Sequence, residues 1–192
     1  MDKFSRNDFL YTPLFCEENI WWLAKALIEK GMDSASMAVL FFTNPSTSIL
    51  MLNQRATEPG RMTQWDYHVV LQAEIDQQLW IFDFDSGLDF PEPLLSYLQQ
   101  TFPEQALLPQ QFQCRVRVIP ASHYLAHFYS DRSHMMNHVA ESEFPGYPII
   151  QPELKNNRVE LADYLNLHKP IANTDVFEVE IYRDAFLNRA GS

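Results

Sequence analysis

The chain is expected to fold as α+β, with helices packed on a mainly antiparallel sheet. Three observations predict this. Ile20, Leu23, Ala24, Leu27 and Ile28 recur at helical spacing. Short apolar or alternating runs, bounded by turn residues, recur along the chain as strands and hairpins do. The 192 residues are 46% hydrophobic and 14% aromatic, enough for one packed domain and short for two. Residues 1–192 are therefore expected to form a single domain.

Residues 1–12 are polar and read as irregular. The first helix begins near Cys16, with Pro13 before it and Glu17 and Glu18 in its first turn. Lys30-Gly31 suits its end. Residues 36–43 and 48–53 are apolar runs separated by the turn signal Asn44-Pro45-Ser46. Strands are predicted at about 65–75 and 79–85, and a short helix from Leu94 to about Gln100 behind Pro91 and Pro93. A further strand spans about 113–119. Pro120 and Ser122 then introduce a helix through about Phe128. Residues 140–158, rich in Pro, Glu and Asn, read as a surface loop. A short helix near 160–166 and a strand at 176–182 complete the expected order.

The net charge of −11 argues against a nucleic-acid surface. It fits a cationic ligand or a peptide N-terminus, and more simply serves solubility. There is no 18-residue apolar run and no basic-then-apolar leader, so a cytoplasmic chain with no membrane partner is expected. Two cysteines, Cys16 and Cys114, allow one disulfide and exclude a four-cysteine zinc site. Cys114 lies in an alternating stretch, Gln113 to Val118, and reads as a packing residue.

Cys16 is different. A thiol at a helix N-terminus meets the positive end of the helix dipole, which favours thiolate. His68 follows in Trp65-Asp66-Tyr67-His68, and two carboxylates follow in Phe82-Asp83-Phe84-Asp85. An imidazole braced by a carboxylate can pair with a thiolate and then act as acid and base. Hairpin register decides which carboxylate. A turn at Ile75-Asp76 sets His68 opposite Asp83. A turn one residue later sets it opposite Asp85, with Asp83 a diagonal neighbour on the same face. Either kind of cross-strand pair can touch. Register alone leaves Asp83 and Asp85 open.

Four stretches together resemble the protein N-terminal glutamine amidohydrolase family. They are Cys16-Glu17-Glu18-Asn19-Ile20-Trp21, Trp65-Asp66-Tyr67-His68-Val69-Val70, the strand carrying Asp83-Phe84-Asp85, and Ser130-Asp131-Arg132-Ser133-His134-Met135. The resemblance runs from about residue 11 to the C-terminus, including Gly191-Ser192. It implies a papain/transglutaminase-like fold. It also implies deamidation of an N-terminal Gln side chain to Glu with release of ammonia, and an output read by an N-terminal degradation pathway. By the same resemblance Cys16 is the nucleophile, His68 the acid–base group and Asp83 its orienter. The chain differs from animal members in a shorter start and in the 140–158 loop, which lacks their proline run.

The expected partners are peptides or proteins beginning with Gln, met by a monomer with no cofactor and no metal. Asp66, or Glu17 as its rival, could receive the substrate's amine, and Trp65 reads as core or pocket rim. His123 and His127 share helical spacing, as do His134 and His138, but no carboxylate-rich ligand pattern accompanies them. Arg132 and His134 belong to a family block and read as a brace or pocket wall. Two other classes use the same residues: a thiol protease or transglutaminase-like acyltransferase, and a non-catalytic module that binds N-termini.

Overall fold

The computed structural model describes residues 4–152 and 154–190, so Gly191-Ser192 lies outside the described residues. The elements run α1 (Cys16–Glu29), β1 (Met37–Thr43), β2 (Ile49–Met51), β3 (Thr63–Trp65), β4 (His68–Ile75), β5 (Gln78–Phe82), β6 (Glu92–Pro93), α2 (Leu94–Thr101), β7 (Arg115–Pro120), α3 (Ala121–His127), β8 (Phe128–Tyr129), β9 (Val159–Glu160), α4 (Leu161–Leu165), β10 (Asp175–Glu178) and α5 (Val179–Ala190). Six strands form one sheet in the order β10-β7-β1-β4-β5-β6, and every neighbouring pair is antiparallel. β2 and β3 pair separately and antiparallel, while β8 and β9 form a short parallel pair. The architecture is α+β with a mainly antiparallel sheet.

Helices cover both faces of that sheet. Val39, Phe41, Val69, Leu71 and Ile119 turn toward α1, α3 and α4. Leu40, Phe42, Val70, Ile81 and Val116 turn toward α2 and α5. This explains why β1 reads as a nearly continuous apolar run instead of an alternating one: both its faces are buried. α1 ends as its sequence suggests, with Gly31 at φ +95°, a left-handed conformation that needs no Cβ. Its start is less ordinary. Leu14 takes φ +70°, a position that strains a residue with a side chain, and no side chain caps the helix.

Three expectations change. The strand expected at about 65–75 is interrupted between β3 and β4. There the Asp66 carboxylate accepts the Tyr67 N–H and Thr43 Oγ1 donates to the Asp66 carbonyl, so both groups serve a turn. The strand expected at 79–85 stops at Phe82, because Asp83 Oδ1 accepts the Asp85 N–H across a tight turn. The strand expected at 176–182 is β10 followed directly by α5. Val179 and Tyr182 are buried and Phe186 packs beside them, a helical spacing that overrides the β-branched start. Elsewhere the expected helices near 94–100, 122–128 and 160–166 correspond to α2, α3 and α4.

Candidate active site

The β4–β5 hairpin turns on Asp76 and Gln77, at φ +52° and +64°, the signature of a two-residue primed turn. Leu71 then pairs with Phe82 and Ile75 with Gln78, which is the later of the two registers considered. His68 would face Asp85 if the ladder continued. It does not continue: the chain turns at Asp83, and the diagonal contact wins. His68 Nε2 lies 2.9 Å from Asp83 Oδ1, both groups being buried. The other Asp83 oxygen accepts the Tyr97 hydroxyl from α2 at 2.8 Å. Asp83 thus holds three donors and cannot rotate freely.

A carboxylate on Nε2 keeps the proton there, so neutral His68 presents a lone pair at Nδ1. Among the described residues Nδ1 makes no hydrogen bond. Burial opposes charge on His68, but the Asp83 charge and hydrogen bond outweigh it and hold the imidazole above its ordinary value. Burial likewise pushes Asp83 up, and His68, Tyr97 and the Asp85 N–H together bring it below the usual carboxylate value. Trp65 stacks on the imidazole, ring centroids 5.6 Å apart, and anchors its own Nε1 on Gln54.

Cys16 is the first residue of α1, half-buried, and the Val69 N–H, next to His68 in β4, points at its sulfur. The thiolate expected from the helix dipole is opposed here. Burial, then Glu17, Asp85 and Asp83, push the Cys16 thiol well up. Its own hydrogen bond goes to Glu17 Oε2 at 3.6 Å. Cys114 is buried just before β7 and also free, so the two cysteines form no disulfide.

The first turn of α1 buries three polar side chains in three directions. Asn19 exchanges two hydrogen bonds with the backbone of Thr12 and ties down the entering segment. Glu18 takes the Ser130 hydroxyl at 2.7 Å and Arg132 through both Nε and Nη2. Arg132 continues to the carbonyls of Pro145 and Tyr147, so the loop at 140–158 is held from inside. Glu17 takes the Tyr67 hydroxyl at 3.0 Å, and its Oε1 lies 3.5 Å from His134 Nε2. The 130–135 block therefore clasps the first turn of α1.

Asp85 borders the His68–Asp83 pair and is partly accessible. Tyr11 donates to its Oδ1 at 2.5 Å, and burial, with help from Asp83, raises its carboxyl. Arg6 reaches the carbonyls of Ser86 and Leu88 just beyond. Asp66 is exposed, with one oxygen engaged by the Tyr67 N–H. The structure thus gathers Cys16, His68, Asp83, Glu17 and Trp65 around one place and leaves Asp66 outside the buried network.

His68, Asp83 and Asp85 offer donor atoms within 4.8 Å of one another, the one such group among the described residues. A cation there would compete with the bonds from His68, Tyr97, the Asp85 N–H and Tyr11, so the group reads as a hydrogen-bonded acid–base cluster. His123 and His127 stack face to face at 4.1 Å, and the rings do not converge on a shared point as ligands would. Tyr97, Tyr11 and Arg6 had no signal in the sequence. The Glu17-Glu18 doublet did carry one: two acids in an apolar first turn reflect more than a helix dipole.

The N-terminal glutamine amidase family matches residues 11–186, a span that holds Cys16, His68, Asp83 and the 130–135 block. The chain belongs to this family. The match begins where the resemblance was expected to begin and ends short of the C-terminus. Relatives named protein N-terminal glutamine amidohydrolase share the likeness. The one from Arabidopsis thaliana is 36% identical over 134 residues, 66% of this chain and 61% of the relative. That from Bos taurus is 33% identical over 84% of this chain and 79% of its own length. That from Homo sapiens is 29% identical over 94% of this chain and 89% of its own length. The match to the N-terminal glutamine amidase family thus covers the candidate site apart from Arg6. Among the described residues no helix is long and apolar enough to cross a membrane.

Proposed function

We propose that this chain deamidates the side chain of an N-terminal glutamine in peptides and proteins, giving N-terminal glutamate and ammonia. The observation that carries the reading is the buried His68–Asp83 pair beside a thiol at the start of α1. The proposed steps use these groups. His68 Nδ1 takes the Cys16 proton as sulfur attacks the amide carbon. The Cys16 backbone N–H, unused inside the helix, meets the oxyanion. The imidazolium returns its proton to the nitrogen, the carbon–nitrogen bond breaks, and ammonia leaves behind a thioester. Neutral His68 then takes a proton from water, hydroxide adds to the thioester carbon, and Cys16 leaves as its sulfur regains that proton. Asp83, steadied by Tyr97, fixes the imidazole's tautomer and orientation.

In this reading residues 1–192 act as one catalytic domain with a papain/transglutaminase-like arrangement, as a cytoplasmic monomer. No step calls for a cofactor or metal. Trp65 walls the imidazole. Of the carboxylates weighed for the substrate's amine, Glu17 is closed to solvent and Asp66 is open, which favours Asp66 as the ammonium contact. A cation leaving water needs such a partner. The test is an incubation with a Gln-initiated peptide, its N-acetylated form and an internal-Gln peptide, following ammonia and mass. Acetylation should lower kcat/KM at least about a hundredfold, roughly 2.7 kcal/mol. Equal rates for free and acetylated peptides would instead favour a general acyltransferase.

A further inference from the structure

The Cys16–Glu17 contact has no part in the steps above. Glu17 is fully buried, one residue from the thiol, and Oε2 is the acceptor for the sulfur's hydrogen at 3.6 Å. Tyr67 shares that oxygen at 3.0 Å. Oε1 faces His134 Nε2 at 3.5 Å, a long contact through which Glu17 helps hold that imidazole above its ordinary value against burial. A carboxylate so placed is an acceptor only. It can receive S–H but repels a thiolate.

We infer that Glu17 is a positioning residue that holds resting Cys16 as a neutral thiol, its S–H aimed at the Glu17 carboxylate and away from His68. The other charges around the sulfur fit this. Asp83 and Asp85 face it from the turn after β5, the Val69 N–H from β4, and the hydroxyls of Tyr67 and Tyr124 from beside it. The Val69 N–H favours thiolate but is outweighed by burial and the carboxylates, and Tyr124 is committed to the Glu17 carbonyl. His134 faces Glu17, not the sulfur. The thiol would then stay unreactive toward stray electrophiles until substrate enters. That consequence rests on the proposed reaction, but the positioning role does not.

The test therefore reads the thiol and not turnover. The rate of Cys16 alkylation by iodoacetamide is measured across pH in the wild type and in Glu17→Gln, with the adduct located by peptide mass. Cys114 is buried and serves as an internal control. The pH midpoint reports thiol acidity, and the high-pH plateau reports access, so a loosened pocket raises the plateau without moving the midpoint. The midpoint should fall in Glu17→Gln, giving about tenfold faster alkylation at neutral pH for each pKa unit lost. A midpoint unchanged or higher overturns the inference. If Glu17→Gln fails to fold, Tyr67→Phe decides. Freeing Oε2 from the hydroxyl should raise the midpoint, and no rise would overturn the inference. Loss of turnover in Cys16→Ala bears on the proposed reaction alone, so the two can fail separately.

Discussion

Two buried carboxylates in this protein meet buried cations, and the cations differ. Asp83 meets the imidazole of His68 at 2.9 Å, and Glu18 meets the guanidinium of Arg132 through two nitrogens. A guanidinium holds its charge wherever a protein is folded, and its planar fork fixes geometry. An imidazole gains and loses its proton near neutral pH. The first arrangement can take part in proton transfer. The second can only hold, and it holds the first turn of α1 to Ser130 and to the carbonyls of Pro145 and Tyr147. Glu18 thus locks the helix turn that Cys16 opens, and the Val69 N–H of β4 lies at the Cys16 sulfur.

The comparison is broken most sharply by two isosteric substitutions. Asp83→Asn should lower kcat on the order of 10⁴-fold, because the amide can present its NH₂ to Nε2 and favour the wrong tautomer. Asp85→Asn should lose less, since Asp85 touches Tyr11 and not the ring. A larger loss in Asp85→Asn, with folding unchanged, would reverse the assignment of orienter. Glu18→Gln should show the opposite pattern. It leaves a buried guanidinium without its counter-charge, so stability should fall by roughly 3–5 kcal/mol. In thermal melts that is a drop of about 10 °C for a chain of this size. Below the new transition, turnover should stay within a few-fold of wild type.

A pH series sharpens the same contrast. His68 is held above its ordinary 6.5, so its contribution to stability is complete below that value and fades as pH rises through the folded-state value. Asp83 is held below its ordinary 3.8, so its contribution is complete above that value and fades as pH falls through the folded-state value. The stability gap between wild type and Asp83→Asn should therefore be widest between 3.8 and 6.5 and narrow on either side. A gap that stays level across the whole range would remove the proton-linked role given to the His68–Asp83 pair. The smallest effect belongs to Cys114→Ser, whose sulfur sits in the core beside Val116 and reaches the site only by way of Tyr97. Its turnover should equal that of wild type, with a modest loss of melting temperature.

Much of this was legible in the sequence, for physical reasons that differ by element. α1 announced itself because apolar spacing, first-turn acids and Gly31 agree. His68 could be placed on a hairpin, but its partner could not be chosen from pairing, because the ladder stops at Phe82 and a side-chain turn at Asp83 replaces it. Val179 to Tyr182 reads as strand from local propensity alone, and packing against α2 and the sheet makes it helix. Tyr97 and Tyr11 were invisible because each acts through one hydroxyl brought from a distant segment. The Glu18–Arg132 contact spans most of the chain, and no local pattern encodes a contact of that range.

Cys16, served by His68 and Asp83, is proposed to perform the deamidation. The most direct measurement is the initial rate of ammonia release from a Gln-initiated peptide by Cys16→Ala, beside wild type, with melting curves of both. The account predicts no release above background from a variant that melts as wild type does. Retained turnover in clean, folded Cys16→Ala protein would contradict it.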